Sequence, residues 1–265
     1  MVPRQSDIAR RIDSGAPSVA NEVRLVMMAS SRSAVLCVIP ARGGSKGLPG
    51  KNLMQIAGET LVARAVRHAV ESGVCDTIVV TTDSEAIADA ARQAGAVVPF
   101  LRDEAISGDL ATTESTLQDA LERTESVLKT AFDIVVFIAP TDIFRDPRWI
   151  ADCVTALRED ETLESAFVGL STHKNYWEQQ EDGSWVRLRE WMKVYSSRQV
   201  RRKIVREDTG LACASRAAIW RQGRRIGDRV KVLAHSDDFS SIDIHKQEDL
   251  ELARLAVQLR GVTHG

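Results

Sequence analysis

Residues 41–52, ARGGSKGLPGKN, gather more chemistry than any other stretch of the chain. Gly43, Gly44, Gly47 and Gly50 let the backbone approach a ligand closely and adopt positive φ. Successive N–H groups in such a loop form a nest for an anion. Arg42, Lys46 and Lys51 add cations within the same stretch. Glycines and cations together suit a triphosphate. The pattern is not a P-loop, because Asn52 stands where Ser or Thr is required, and it is not G-x-G-x-x-G. The bland alternative is a surface turn, but loops at strand ends in α/β proteins tend to carry function.

Something must hold that loop in place. The run before it, AVLCVIP at 34–40, is continuously apolar and suits a strand buried on both faces. Beyond the loop, Val62, Ala65, Val66 and Ala69 recur at helical spacing, and Gly73 ends that helix. A β-rich run follows at 77–83, a helix at 84–94 stopped by Gly95, and a short third strand, AVVPF, at 96–100. The pattern then predicts a helix at 113–129, a buried strand at 133–140, a helix at 147–158 opened by Pro147, and a strand at 165–171. KVLAH at 231–235 and SIDIH at 241–245 read as strands. The closing helix at 246–260 has Leu252, Leu255, Ala256 and Leu259 in period. This alternation predicts a mainly parallel sheet with helices on both faces. Ligands bind such sheets at the carboxyl ends of the strands. Residues 42–52, Asp83 and 140–145 fall there. Residues 176–206 break the alternation with Trp177, Trp185 and Trp191, and Gly183 marks a hairpin turn. They read as a β-rich insertion that forms a dimer contact, because aromatics gather at interfaces.

Composition sets the outer bounds. The chain has 265 residues, 44% hydrophobic and 27% charged, and 35 basic against 37 acidic side chains leave a net charge of −2. That balance gives no argument for nucleic acid or membrane. No apolar run nears the ~18 residues of a membrane helix. The N-terminal stretch lacks the apolar core of a secretory signal, so a cytoplasmic location is expected. Residues 1–33 are expected to be a flexible extension, and 34–262 the organised domain. Cys37, Cys75, Cys153 and Cys213 form no C-x-x-C pair and read as reduced, mostly buried thiols.

The segment VIPARGGSKGLPGKN closely resembles the signature of the CMP-sialic acid synthetase family (acylneuraminate cytidylyltransferases), and more loosely that of the Kdo cytidylyltransferases. The resemblance runs from about Leu36 to Leu255. Residues 79–121 resemble the family's second block and FIAPTDIFR its LQPTSPLR block. SSRQ at 196–199 resembles its Arg-Gln stretch, and SIDIHKQEDLELA its closing D-x-D block. The resemblance implies a three-layer Rossmann-like nucleotidyltransferase fold and transfer of CMP from CTP to an acidic sugar, with Mg²⁺ and release of pyrophosphate. It implies a cytidylyltransferase domain over 34–262 and a homodimer. By matching, Arg42, Ser45, Lys46 and Lys51 hold the phosphates, with Ala41, Gly43 and Gly44 in the same loop. Arg42 and Lys51 bear the charge of the leaving group. Asn52 contacts the ribose, Arg102 the cytosine, and Ala111, Thr112 and Thr113 complete the pocket. Alone, Arg102 would read as a surface ion pair with Asp103 or Glu104. Asp243 matches the first metal-binding aspartate. His245 replaces the second, and period 2 in a strand would turn both side chains the same way. Imidazole is a poor Mg²⁺ ligand. His245 is therefore an acceptor-side base, a passive hydrogen-bonding residue, or the mark of a softer metal.

The acceptor half departs from the family further. Ala139 stands where the block has Gln, and Thr209 where the family has Asn. Thr141, Arg198, Gln199 and His245 complete the expected acceptor set. A basic run over 187–206 holds eight cations against Glu190. It suits an acidic acceptor, a sugar acid or a phosphonate, or it is simply a solvated face. The leading expectation is CTP-dependent cytidylyl transfer to a small acidic acceptor. The alternatives are a related enzyme using another nucleoside triphosphate and a catalytically silent CTP-binding protein.

Overall fold

The structure is a computed structural model that describes residues 33–103, 106, 108, 112–197 and 199–263. The expected extension lies outside the described residues apart from Ser33. In chain order, β1 (Val35–Pro40) leads into the glycine loop, and β2 (Gln55–Ile56) and β3 (Glu59–Thr60) form a small hairpin. Then come α1 (Leu61–Glu71), β4 (Thr77–Thr81), α2 (Glu85–Gln93), α3 (Thr113–Leu128), β5 (Ile134–Phe137), α4 (Pro147–Glu159) and β6 (Ser165–Thr172). A second hairpin of β7 (Trp177–Gln179) and β8 (Trp185–Arg187) follows. The chain closes with β9 (Ile204–Glu207), β10 (Cys213–Arg216), α5 (Ala217–Arg221), β11 (Val230–His235) and α6 (Gln247–Thr263).

The main sheet has the order β11-β6-β10-β5-β1-β4, with β9 also paired to β6. β1 is parallel to β4 and β5, and β11 is parallel to β6. β10 lies antiparallel between β5 and β6. The mostly parallel, Rossmann-like sheet expected from the alternation is present, with the antiparallel β10 as its added feature. Period 2 explains why β1 reads as a continuous apolar run. Val35, Cys37 and Ile39 pack with Val62, Val66, Ile87 and Ile150 from α1, α2 and α4. Leu36 and Val38 pack on the other face with Leu117, Leu121 and Trp220 from α3 and α5. Both faces are buried, so no polar residue interrupts the strand.

Local signals set the helix starts. The Thr60 hydroxyl accepts from the Ala63 amide at 3.2 Å and opens α1. Asp146 caps α4 by accepting from the Arg148 amide at 2.9 Å, with Pro147 in the first turn as the sequence predicts.

Three expectations need correction. AVVPF is no strand: Val97 makes one isolated bridge to Val79. Pro99, two residues on, has no N–H to extend the ladder. SIDIH does not pair either. Residues Asp238–Ser241 form a 3-10 turn instead, locked by Ser240 and Ser241 hydroxyls that donate to the Asp237 and Asp238 carbonyls at 2.6 Å each. On α6 the core face is Leu250, Ala253 and Ala256, whereas Leu252, Leu255 and Leu259 are 53%, 58% and 60% exposed. Anchoring of Ile244 and Leu250 in one apolar cluster rotates the helix away from its leucine stripe.

Candidate functional site

The anchor that positions the site is that same cluster. It joins Leu48 of the glycine loop, Ile143 and Phe144 of the loop after β5, and Ile244 with Leu250 and Ala253 at the C-terminal end. Three segments far apart in sequence are thereby clamped around one cleft. Ile244 is fully buried, so its neighbours Asp243 and His245 turn outward, and the expected alternation survives without a strand. At Gly47 a Cβ would lie 2.5 Å from the His245 carbonyl oxygen, so only glycine lets the loop cross this segment.

The cleft has a volume of about 360 Å³ and opens at the carboxyl ends of β1 and β5. Arg42, Lys51, Asn52, Arg102, Thr112 and Thr113 line it together with Ala139 and Thr141. Sequence reading assigned all eight to the site. Thr116 and Phe137 also line it and were not foreseen, and Pro140 lines it from the strand-end segment 140–145 that was. Thr116 lies one turn along α3 from Thr112 and donates to its carbonyl at 3.0 Å, a helical spacing that would have suggested it.

The loop is braced from within. The Ala41 amide donates to the Thr81 carbonyl at 3.0 Å, extending the pairing of β1 with β4. The Gly43 amide donates to Asp83 Oδ1 at 2.7 Å, and the Ser45 amide to the Gly43 carbonyl at 3.1 Å. The expected nest is therefore partly closed on itself, with the Asp83 carboxylate holding one of its donors. Asn52 Nδ2 donates to the Arg42 carbonyl at 2.9 Å, which fixes the residue that carries the guanidinium. Thr112 caps α3 by accepting from the Ser115 amide at 3.0 Å. Lys51 Nζ donates to the Ile244 carbonyl at 3.1 Å. Burial pulls the Lys51 pKa down, opposed by the Asp243 carboxylate. Arg102 is 6% exposed, and burial lowers its pKa too, opposed by Asp83. A guanidinium stays charged regardless, so the cleft holds fixed positive charge in a desolvated wall.

The loop after β5 is held differently. Arg145, at the end of the 140–145 segment, is 4% exposed. Its Nη2 donates to the Ala139 and Gly210 carbonyls at 2.6 Å each, and its Nε to the Leu211 carbonyl. Its Nη1 sits 3.5 Å from His68 Nδ1. Burial lowers the Arg145 pKa to about 10 and that of His68 to about 2, so His68 is neutral and faces the cation through a lone pair. Asp142 follows Thr141 in the same loop, and burial followed by the Asp243 charge pushes its pKa up to about 7. His245 Nε2 is 2.7 Å from Asp243 Oδ2. Asp243 Oδ1 lies out of solvent without a hydrogen-bond partner among the described residues, while the side chain as a whole is 40% exposed.

Other expected residues lie elsewhere. Thr209 is buried beside Gly210, while Gln199 is exposed in a turn; neither lines the cleft. Ala111 and Arg198 lie outside the described residues. No described member of the basic run lines the cleft. Arg187 stacks on Trp177 at 4.2 Å, Lys193 pairs with Glu190, Arg202 lies over Trp191 at 5.9 Å, and Arg206 pairs with Asp208 at 2.7 Å. Sequence reading placed Asp83 and residues 140–145 at the ligand end of the sheet but gave Asp83, Asp142 and Arg145 no individual role, and it did not single out His68.

A glycine loop, buried cations and a cleft at the carboxyl ends of a mostly parallel sheet define a nucleotide-binding α/β protein. Two solved structures share this fold. CMP:2-keto-3-deoxy-manno-octonic acid synthetase complexed with CTP matches with a TM-score of 0.63 at 16% identity, over 86% of this chain and 100% of that one. The 4-diphosphocytidyl-2C-methyl-D-erythritol synthase of Anaerococcus prevotii matches with 0.59 at 13% identity, over 85% and 99%. The cytidylyltransferase family model matches residues 36–259, and the chain belongs to that family. CMP-N,N'-diacetyllegionaminic acid synthase of Legionella pneumophila is 44% identical over 120 residues, 45% of this chain and 51% of that protein. Pseudaminic acid cytidylyltransferase of Campylobacter jejuni is 43% identical over 91 residues, 34% and 39% of the two chains. The matched segments thus span about half the length of these curated relatives or less. Among the described residues no helix is long and apolar enough to cross a membrane.

Proposed function

We propose that this protein transfers CMP from CTP to an acidic acceptor of the nonulosonic class and releases pyrophosphate. The observation that carries the reading is the convergence of Arg42, Lys51, Asn52 and Arg102 on one cleft. The legionaminic and pseudaminic names of the relatives supply the acceptor class. Arg102 meets the cytosine, whose N3 and O2 accept hydrogen bonds. Asn52 and the start of α3 hold the ribose, and Arg42 with Lys51 hold the phosphates. The acceptor hydroxyl oxygen bonds to the α-phosphorus, the bond from that phosphorus to the β-phosphate oxygen breaks, and pyrophosphate leaves with the electron pair. Lys51 and Arg42 neutralise the charge that develops on it. With His245 Nε2 turned to Asp243, Nδ1 is the nitrogen left to take the acceptor's proton.

Asp243 fits a hard divalent cation, because its Oδ1 is an orphaned acceptor shielded from water. Mg²⁺ bound there supplies charge neutralisation at the triphosphate. The hairpin of the insertion exposes Trp177 (50%), Trp185 (59%) and the nearby Tyr195 (70%), an apolar patch suited to a second copy of this chain. Sedimentation at micromolar concentration is expected to give a dimer, and Trp185→Asp a monomer; a monomeric parent overturns this. Dependence on CTP fits a reaction in the cytoplasm.

The test is pyrophosphate release with Mg²⁺ and CTP or UTP, across legionaminic, pseudaminic and N-acetylneuraminic acids and a set of phosphonates. The expected result is release with CTP and a nonulosonic acid at least tenfold above the CTP-only blank. Release that never exceeds the blank overturns the reading in favour of a silent nucleotide-binding protein. Preference for UTP overturns the base assignment, and turnover confined to phosphonates overturns the acceptor class.

A further inference from the structure

The end of β4 touches each part of the nucleotide wall. Thr81, the last residue of the strand, accepts the Ala41 amide at 3.0 Å at the entry to the glycine loop. The Thr82 carbonyl accepts the Arg102 amide at 2.7 Å. Asp83 Oδ1 accepts the Gly43 amide at 2.7 Å, inside the loop itself. Thr81 and Thr82 make these contacts through backbone carbonyls, which any residue supplies. The contact to the loop needs a side-chain acceptor, and its length is that of a charge-assisted bond.

The Gly43 amide and the Arg42 carbonyl belong to one peptide unit. Asn52 Nδ2 donates to that carbonyl at 2.9 Å, while Asp83 holds the amide. The two polar atoms of a trans peptide point to opposite sides of a rigid plane, and no peptide in the described residues is cis. Holding both atoms stops the plane from turning. Elsewhere such a plane would turn readily, because Gly43 and Gly44 carry no Cβ to restrict it. The loop also passes close to the first turn of α2, where a Cβ on Gly43 would lie 3.1 Å from the Ser84 Cβ. Asp83 is exposed, and its charge alone would repel a triphosphate. Its contribution at a phosphate loop must come through the bond it makes.

We propose that Asp83 is a positioning residue for the triphosphate: opposite Asn52, it locks the Arg42–Gly43 peptide plane and so sets how Arg42 and the following amides meet the phosphates. This rests on the nucleotide reading given above and adds to it a residue that never touches the nucleotide.

The test is calorimetry of the full chain with CTP and, by competition, with cytidine. Asp83→Ala is expected to weaken CTP binding at least tenfold and cytidine binding less than threefold, since the nucleoside has no phosphate for the loop to meet. Asp83→Asn keeps an oxygen acceptor for the Gly43 amide and is expected to bind CTP within threefold of the parent. The exposed position predicts that both variants fold, which circular dichroism checks. If Asp83→Ala binds CTP within twofold of the parent, or more tightly, the proposal is overturned, because the carboxylate then only occupies a donor that the phosphates could take. An Asp83→Asn variant as weak as Asp83→Ala, or an equal loss of CTP and cytidine, also overturns it, because the charge of Asp83 on Arg102 would then be what matters. If the parent binds no CTP, the nucleotide reading itself falls, and this proposal with it.

Discussion

The nucleotide wall and the acceptor wall of the cleft meet at Lys51 but are made by opposite means. The nucleotide wall is largely one continuous loop, its cations carried by residues 42–51 and its shape braced by short-range bonds such as Asn52 to the Arg42 carbonyl. The proposed acceptor side is assembled from three segments around residues 139–145, 207–211 and 243–245, of which Ala139, Pro140 and Thr141 line the cleft, joined by one buried guanidinium and one apolar cluster. One wall is rich in fixed positive charge, while the other gathers Asp142, Asp208 and Asp243. A contiguous wall keeps its chemistry as long as its loop closes. An assembled wall changes its chemistry with single side chains, so this is where the proposed reading expects one acceptor to be exchanged for another while the nucleotide is kept.

The largest expected effect tests the nucleotide wall. Lys51→Ala removes a desolvated ammonium that the proposed function sets against the leaving pyrophosphate, and should lower kcat/KM by about 10³, roughly 4 kcal/mol of transition-state stabilisation. The loss should appear in kcat and in the KM for CTP, with the acceptor KM within twofold of the parent. Steady-state kinetics in both substrates measures this. A loss under tenfold, or one confined to the acceptor KM, would erase the division between the walls.

Arg145→Met tests the other wall. The substitution roughly keeps the volume but orphans the Leu211 carbonyl and takes one of two donors from the Ala139 and Gly210 carbonyls, which keep the Asp142 and Ala139 amides. The unsatisfied buried acceptor costs about 1–3 kcal/mol, and with the lost charged hydrogen bonds the net loss is about 3 kcal/mol. Urea unfolding should register that loss, and the acceptor KM should rise about tenfold, while CTP affinity by calorimetry stays within threefold. Unchanged stability would mean that the two loops hold themselves.

The same contrast explains what could be read from sequence. The alternation of β1, α1 and β4 was legible because each segment buries a face whose period is local. Arg42 and Lys51 were legible because their motif is contiguous, whereas Asn52, Arg102, Thr112 and Thr113 came from the family resemblance, and Arg102 alone reads as a surface ion pair. Asp142 and Arg145 lay inside a noticed segment, yet their roles depend on Gly210 and Leu211, about 65 residues away, and no local pattern encodes such a meeting. His68 read as one more position of α1; its meaning comes from Arg145, 77 residues on. The leucine stripe of α6 misled because periodicity gives a helix a face without saying which face finds the core. The basic run over 187–206 left two readings open, an acidic acceptor or a solvated face, because a count of cations says nothing of the aromatic rings and carboxylates that engage them.

The smallest expected effect probes the junction of the two walls through pH. His68 lies on α1 at 5% exposure, its Nδ1 beside the Arg145 guanidinium, and burial with that charge depresses its pKa from 6.5 to about 2. Below pH 6.5 the unfolded chain takes up a proton that the folded chain refuses. The stability from this group is therefore complete above pH 6.5 and is lost as pH falls toward 2. Between pH 7.5 and 5.0 the loss reaches at most about 2 kcal/mol, since 1.5 pH units below the unfolded pKa are worth about 1.36 kcal/mol each. His68→Gln keeps an acceptor for the guanidinium and removes the titration. Urea midpoints at the two pH values should converge in the variant relative to the parent. Parallel pH slopes in the two proteins would show that His68 takes up its proton equally in the folded and unfolded chains, and the neutral acceptor beneath Arg145 would have to be abandoned.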